Sequence, residues 1–496
     1  MPILPNFNPA RFRRGEPIDN PYFPLVPGTV QAYQGTTADG ETTEGNDYFA
    51  TSLTKDVLGI QTLVVRDTAY EDGLLVEETI DFFAQDRDGN VWYFGEEVIN
   101  YRYDDDGNFI GTDNDGAWLA GVNGAQPGWI MPADPRPGLS YFNEFAPGIA
   151  VDEALVVARN VRIETELGRF RTLQTLDTTA LDPDAREFKY YAQGIGLVRV
   201  DEGLDENNEP ELVVELRDTV RAGTSRPPAG AEVVASDDFI SDSGGRWVTV
   251  VAEDSELANA LGYYTFDRAT GEIGEGRILF ADSDAVDPGD TVRIHLPDGH
   301  GIGLFFVPGA VELGLDVADF RSGGLFFSNM LTGGRASLSD GMAPIVTDED
   351  GNPLPIPVFH ALGAAGGSNL LNPGLGLQAV EWQGADEVGD DIVLIGFEDL
   401  RRTQEDYDGD FDDVLVAFSD ERLDAEDVEE LAGLLSGGGG AVAGKSVPAV
   451  LQPPAGAAGF AFATGAPSAG TAGLEAAATL PFTAHRLDEL MAVDLL

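Results

Sequence analysis

The chain has 496 residues, 43% of them hydrophobic, enough for two or three domains with buried cores, and it is no disordered polymer. With 29 Lys and Arg against 86 Asp and Glu, its formal net charge of -57 repels nucleic acid phosphates and anionic headgroups and argues against nucleic acid partners. There is no cysteine, which removes disulfides and thiolate metal sites and leaves oxygen ligands and four histidines.

Two physical explanations of the acid excess stand side by side, divalent cation binding and adaptation to a salty medium. Lysine occurs only at positions 55, 189 and 445, the Asp-rich, Lys-poor balance expected of a halophilic or marine source. The first 25 residues have arginines but no apolar core followed by a small-residue cleavage site, and no run of about 18 apolar residues occurs anywhere. The expectation is a soluble chain without membrane insertion, placed outside the cell or at its surface by a route that needs no N-terminal signal.

From about residue 20 to 220, β-branched and aromatic runs such as "LGIQTLVVRDTAY" and "NVWYFGEEVINYRY" alternate with turn signals, including Asp72-Gly73, Asp88-Gly89 and Asp106-Gly107. This predicts an antiparallel β-barrel-like or curved-sheet domain over 1–221. Residues 222–245 read as a linker from "AGTSRPPAGAEVVA". Short strands at intervals of about 8 to 15 residues over 246–420 predict a two-sheet β-sandwich, because one sheet of that size needs a second apolar face. The fold class is therefore mainly β with short C-terminal helices. The first of these, within 421–436, is capped by Asp424 and carries Val428, Leu431, Leu434 and Leu435 as one stripe ended by Gly437. A Gly/Ala/Pro-rich linker follows over 437–473, and 474–496 forms a tail whose Leu487, Leu490, Met491 and Leu495 suit a small amphipathic helix. That tail is compatible with the uncleaved C-terminal signal of type I export.

The densest chemistry lies in "EDYDGDFDDVLVAFSD" (405–420), where acids crowd the mouth of an apolar strand. Gly409 lets the backbone curl and converge them. Two carboxylates about 4 Å apart repel by roughly 4 kcal/mol at an effective dielectric of 20, a cost that a cation removes. Ca²⁺ accepts 6 to 8 oxygen ligands in forgiving geometry. The spacing opens like an EF-hand loop, but Phe411 stands where that loop needs glycine and Ala417 where it needs glutamate, so it is not one. A solvated acidic turn that keeps an edge strand soluble is the plainer alternative.

"IGFEDL" (395–400) followed by "DGDFDDVLVAFS" (408–419), with "LGYYTFDRATGEIGEGRILFADSD" and "GGLFFSNM" earlier, resembles domain of unknown function number 4114 over about 253–418. That family usually has Asn where this chain has Gly409 and Asp412. The resemblance implies an extracellular bacterial β-sandwich with a calcium site and no settled activity. Carried over position by position, the ligands are Glu398 and Asp399 from the first motif and Asp408, Asp410, Asp412 and Asp413 from the second, brought together by adjacent final strands. Asp406 is a weaker candidate.

The N-terminal part, through "NPYFPLVPGT", "DFFAQDRDGNVWYFGE" and "KYYAQGIGLVRV", resembles an uncharacterised group of bacterial secreted or lipoprotein-like β domains. Lipid anchoring is not carried over, because it needs a cysteine. Trp92, Trp118 and Trp129, with Tyr93, Phe94, Tyr141 and Phe142, suit either an apolar ligand cavity or plain core packing.

No catalytic constellation emerges. His295, His300, His360 and His485 lack zinc-site spacing, and there is no nucleophile elbow or phosphate loop. Carboxylate pairs such as Glu77 with Glu78 or Glu96 with Glu97 are too common to mark a glycosidase. "DRDGN", "DDDGN" and "DEDGN" read as hairpin turns. The expectation is a secreted, calcium-binding surface or matrix protein of structural or adhesive character. The alternative is a ligand-binding protein or hydrolase working in the N-terminal domain, with calcium only structural.

Overall fold

A computed structural model describes residues 1–437 apart from 38–39, 41, 105–106, 236–244, 366–367, 390, 403 and 405–406. The expected C-terminal linker and tail, and Glu405 and Asp406, lie outside the described residues. The fold is mainly β, as the alternation of the sequence predicts.

The N-terminal half forms one antiparallel sheet that curls into a barrel. Most neighbours in the sheet are neighbours in sequence, from Thr29–Thr37 through Val91–Tyr103, and again from Asp152–Thr165 to Leu212–Arg221, which returns to pair with Thr29–Thr37. The remaining gap is closed by one short segment. Ser140–Phe142 pairs with Glu153–Leu155 on one side, and Glu144–Phe145 pairs with Gln126–Pro127 on the other. The closure is so tight that a Cβ at Gly128 would overlap the backbone carbonyls of Phe142 and Asn143, so only glycine fits there.

Along each strand, alternate residues face the lumen or the opposite side. In Leu74–Gln85, Glu77, Asp81 and Phe83 reach the lumen, whereas Ile80 and Phe82 are fully buried on the opposite side. Part of that outer side is covered by the N-terminal arm, whose Phe7 and Phe12 rings pack 5.7–5.9 Å from those of Trp92 and Phe94. Met342 and Leu375, from loops of the C-terminal half, join the same apolar cluster.

The C-terminal half is a sandwich. Its six-stranded sheet runs Ala231–Glu232, Ala379–Trp382, Val393–Phe397, Val414–Ser419, Gly245–Glu253, Thr291–His295. Its four-stranded sheet runs Ile273–Phe280, Ala260–Asp267, His300–Val307, Phe359–His360. The inner faces share one core in which Phe306 and Phe397 stack at 5.0 Å. The first of these strands falls within the segment expected to be linker, where Ala231 pairs with Trp382.

The helix Ala425–Gly437 lies on the outer side of the six-stranded sheet, where Leu431 packs with Leu394, Leu415 and Ala417. Covering both faces explains why "VLIGF" and "VLVAFS" are apolar throughout rather than alternating. Asp424 accepts the backbone N–H of Glu426 at 2.8 Å and of Asp427 at 3.1 Å, a cap that fixes where the helix begins. Among the described residues no helix is long and apolar enough to cross a membrane.

Candidate functional site

Strands Val393–Phe397 and Val414–Ser419 are antiparallel neighbours whose register sets Phe397 opposite Val414. The next residues outward are Glu398 and Asp413, so pairing alone brings the two acidic motifs together. Gly409 at φ +70° and Phe411 at φ +59° turn the loop, and the buried Phe411 ring anchors it against Leu377 and Val380. Asp408 and Asp410 are thereby folded back over Glu398.

Carboxylate oxygens of Glu398, Asp408 and Asp410 lie within 4.8 Å of one another, and so do those of Glu398, Asp399 and Asp413. Glu398 belongs to both groups. Five of the six residues expected as ligands are thus brought together. Asp412, the sixth, belongs to neither group; its N–H points to Asp410 Oδ1 at 3.4 Å.

The site is deep for so much charge. Glu398 is 1% exposed and Asp399 4%. Asp399 is held by its surroundings, since its Oδ2 accepts from Ser255 Oγ and, at 3.1 Å, from Asn259 Nδ2. Asp413 Oδ2 accepts the Asp399 N–H at 2.8 Å. Glu398 Oε2, by contrast, is buried with no hydrogen-bond partner. Burial, reinforced by the charges of Asp413 and Asp408, pushes the Glu398 carboxyl up to about 9. Burial and then Asp399 push Asp413 up to about 8, and burial leads the rise of Asp410 to about 6. A buried carboxylate oxygen with no donor, surrounded by others, fits a hard cation with oxygen ligands.

The loop also touches the barrel. Two residues past Asp399, the Arg401 guanidinium sits 3.8 Å from the Tyr70 ring centroid and 3.4 Å from Asp47, and Arg402 pairs with Asp218 at 3.0 Å.

The tryptophans fall elsewhere than a cavity lining. Trp92 is packed between Phe7, Phe12 and Trp129 and donates to Asp86 at 2.9 Å. Trp118 stands edge-on behind Tyr93 at 5.4 Å and donates to Glu144 at 2.8 Å. Trp129 leans on Trp92 and Tyr141. The barrel nevertheless holds a cavity of about 630 Å³, lined by tyrosines and acids, and none of the three tryptophans lines it.

Those lumenal acids escaped sequence reasoning. The available signal was a charged residue or tyrosine at every second place in a β run, as in Glu187, Lys189, Tyr191. The adjacent pairs weighed for glycoside chemistry split across the wall. Glu77 and Glu96 line the lumen, while Glu78 pairs with Arg66 and Glu97 with Lys55. The lumenal partners are cross-strand instead: Asp81 lies opposite Glu96, and the Tyr93 hydroxyl stands 2.6 Å from the first and 2.9 Å from the second.

The histidines build no site among the described residues. His360 is a core residue beside Tyr264, held neutral because burial lowers it to about 3. The Asp86 and Asp348 turns close with the acid accepting the N–H of the Asn four residues on.

No known family profile matches this sequence, and no curated protein matches it. Solved structures similar to parts of it include a candidate exported protein with a YmcC-like fold from Bacteroides fragilis. It is 15% identical over 40% of this chain and 99% of its own, with a TM-score of 0.23. A candidate lipoprotein from Parabacteroides distasonis is 14% identical over 40% of this chain and 98% of its own, with a TM-score of 0.23. Superposition at that level carries no argument about this chain.

Proposed function

We propose that this chain is a secreted or cell-surface β protein of structural or adhesive character, braced by Ca²⁺ bound between the last two sandwich strands. Glu398, Asp399, Asp408, Asp410 and Asp413 supply the carboxylates, and the ion offsets their mutual repulsion. The observation that carries the reading is Glu398 Oε2, buried without a donor at the meeting point of both acidic groups. The resemblance to domain of unknown function number 4114 adds an expectation of the same ion at the same motif.

The ion's mechanical role follows from chain connectivity. Fixing Glu398 and Asp399 fixes Arg401, and with it the contact to Tyr70 and Asp47 on the barrel. Calcium therefore stiffens the junction between sandwich and barrel. Calorimetric titration with Ca²⁺, Mg²⁺ and Na⁺ tests this directly. A saturable Ca²⁺ site that Mg²⁺ fills poorly is expected, and a response equal for all three at matched ionic strength refutes it.

A further inference from the structure

The barrel lumen is a second, chemically different site, and the argument for it is independent of the calcium loop. Its cavity of about 630 Å³ falls in the range that takes a small organic molecule. Fourteen of the residues lining it are Asp or Glu and two are Lys or Arg. Both bases are already engaged. Arg186 donates to Asp205 O at 3.0 Å and Asn208 Oδ1 at 2.6 Å, and Lys189 lies between Glu187 at 2.8 Å and Asp177 at 3.5 Å. Among the described residues, Asp67, Asp81, Glu96, Glu144 and Glu202 have no Lys or Arg within salt-bridge distance.

Two buried acceptors on the same wall lack a donor: Asn143 Oδ1 and Asp177 Oδ1, in residues 6% and 7% exposed. They call for N–H groups that the protein does not provide. A metal ion does not suit them, because among the described residues acids converge closely enough to hold one only at the 398–413 loop. The lumenal acids are spread around the wall instead, with Tyr33, Tyr48, Tyr93 and Tyr191 between them, rings that favour both methylene groups and ammonium. Ile149 and Leu181, 39% and 36% exposed, carry the lining out to the surface and give it an apolar rim.

We infer that the lumen binds a linear organic polyamine, its ammonium groups spaced along a methylene chain so that each meets a different carboxylate. The Lys189 side chain, an ammonium on four methylenes seated between Asp177 and Glu187, is the protein's own example of the fit. Burial raises the Asp81 carboxyl to about 7 and Glu96 well above its usual range, so a bound cation draws protons off the wall.

The test is calorimetric titration of the full chain, saturated with Ca²⁺, with spermidine at pH 7.5 and 0.15 M salt, in buffers of different ionisation enthalpy. The expected result is one spermidine per chain with proton release. Asp81→Asn/Glu96→Gln should weaken it at least about tenfold, while the surface pair Asp287→Asn/Asp298→Asn leaves it unchanged. Binding of many equivalents without proton release, equal in both variants, is screening of surface charge and overturns the inference. Equal binding of a neutral diol of the same length also overturns it, a readout that needs no variant to fold. Repeating the titration on Asp410→Asn/Asp413→Asn separates the two sites. Retained binding supports the lumen, and lost binding places the amine at the loop and refutes it.

Discussion

The guanidinium of Arg401 sits over Tyr70, 3.8 Å from the ring centroid, and reaches Asp47, a residue only 4% exposed. One side chain from the acidic loop thus neutralises a buried carboxylate of the barrel wall. Asp47 is raised by burial and held back by Arg401. Arg401→Ala leaves that charge uncompensated and should cost about 3 kcal/mol. Arg401→Lys keeps the charge but loses the guanidinium seated over the ring, and should recover part of the loss. Denaturant unfolding of the three proteins checks the order.

Calcium at about ten times its Kd should stabilise the chain by roughly 1.4 kcal/mol through mass action. Asp410→Asn/Asp413→Asn should abolish that increment. Glu398→Gln is more diagnostic, because it removes a buried carboxyl that, without the cation, must take up a proton to fold. Without calcium it should melt higher than the parent, and with calcium it should gain little. If the double variant responds to calcium like the parent, the ion is bound elsewhere.

Stability in the absence of calcium should fall as pH rises. Burial raises Asp177 to about 6 and Asp81 to about 7, the latter among Glu77, Glu96 and Tyr93, against about 4 in the unfolded chain. Between those values the folded state holds more protons than the unfolded one, so each unit of pH costs stability. The midpoint of unfolding should therefore be higher near pH 5 than near pH 8 at constant ionic strength. Asp81→Asn should flatten the slope between pH 4 and 7. Glu398 and Asp413 extend the fall toward pH 9, and calcium should remove their share.

Gly128→Ala should destabilise the barrel by about 1–3 kcal/mol, at the upper end because the clash is with backbone that cannot swing aside. Circular dichroism and melting would show it. Gly107→Ala, in open space at φ +79°, meets only backbone strain and is the matched control, expected near 1 kcal/mol.

The parts legible in the sequence share a physical cause, strong local preference. Asp-Gly turns, alternating runs and the capped helix after Asp424 are fixed by nearby residues, so they survive reading in isolation. The acidic loop was legible because its charge density has no comfortable local solution and its flanking strands are adjacent in sequence. The lumen was not. Alternation assigns Glu77 and Asp81 to one side of a strand but does not say that this side is the inside, and a barrel interior is ordinarily apolar. Trp92 and Trp118 misled for the converse reason. Large rings suit a cavity wall, yet Phe7 and Phe12, from the distant N-terminal arm, cover one, and Tyr93 screens the other from the lumen.

Closure of the barrel by Ser140–Phe145 has a bearing on self-association. Ser140–Phe142 covers only the start of Asp152–Thr165, so Ala158–Thr165 and Phe109–Asp113 each pair on one side and leave a row of main-chain groups unpaired by another strand. Strand-by-strand polymerisation has those two stretches of the barrel and the borders of the sandwich as starting points. In the six-stranded sheet the borders are the two-residue Ala231–Glu232 and Thr291–His295, where Arg293 lies over Trp247. A brief strand at one border and a charged one at the other make poor templates for growth, and the open stretch of the barrel carries Arg159, Arg162 and Glu164, charges that oppose pairing with another chain.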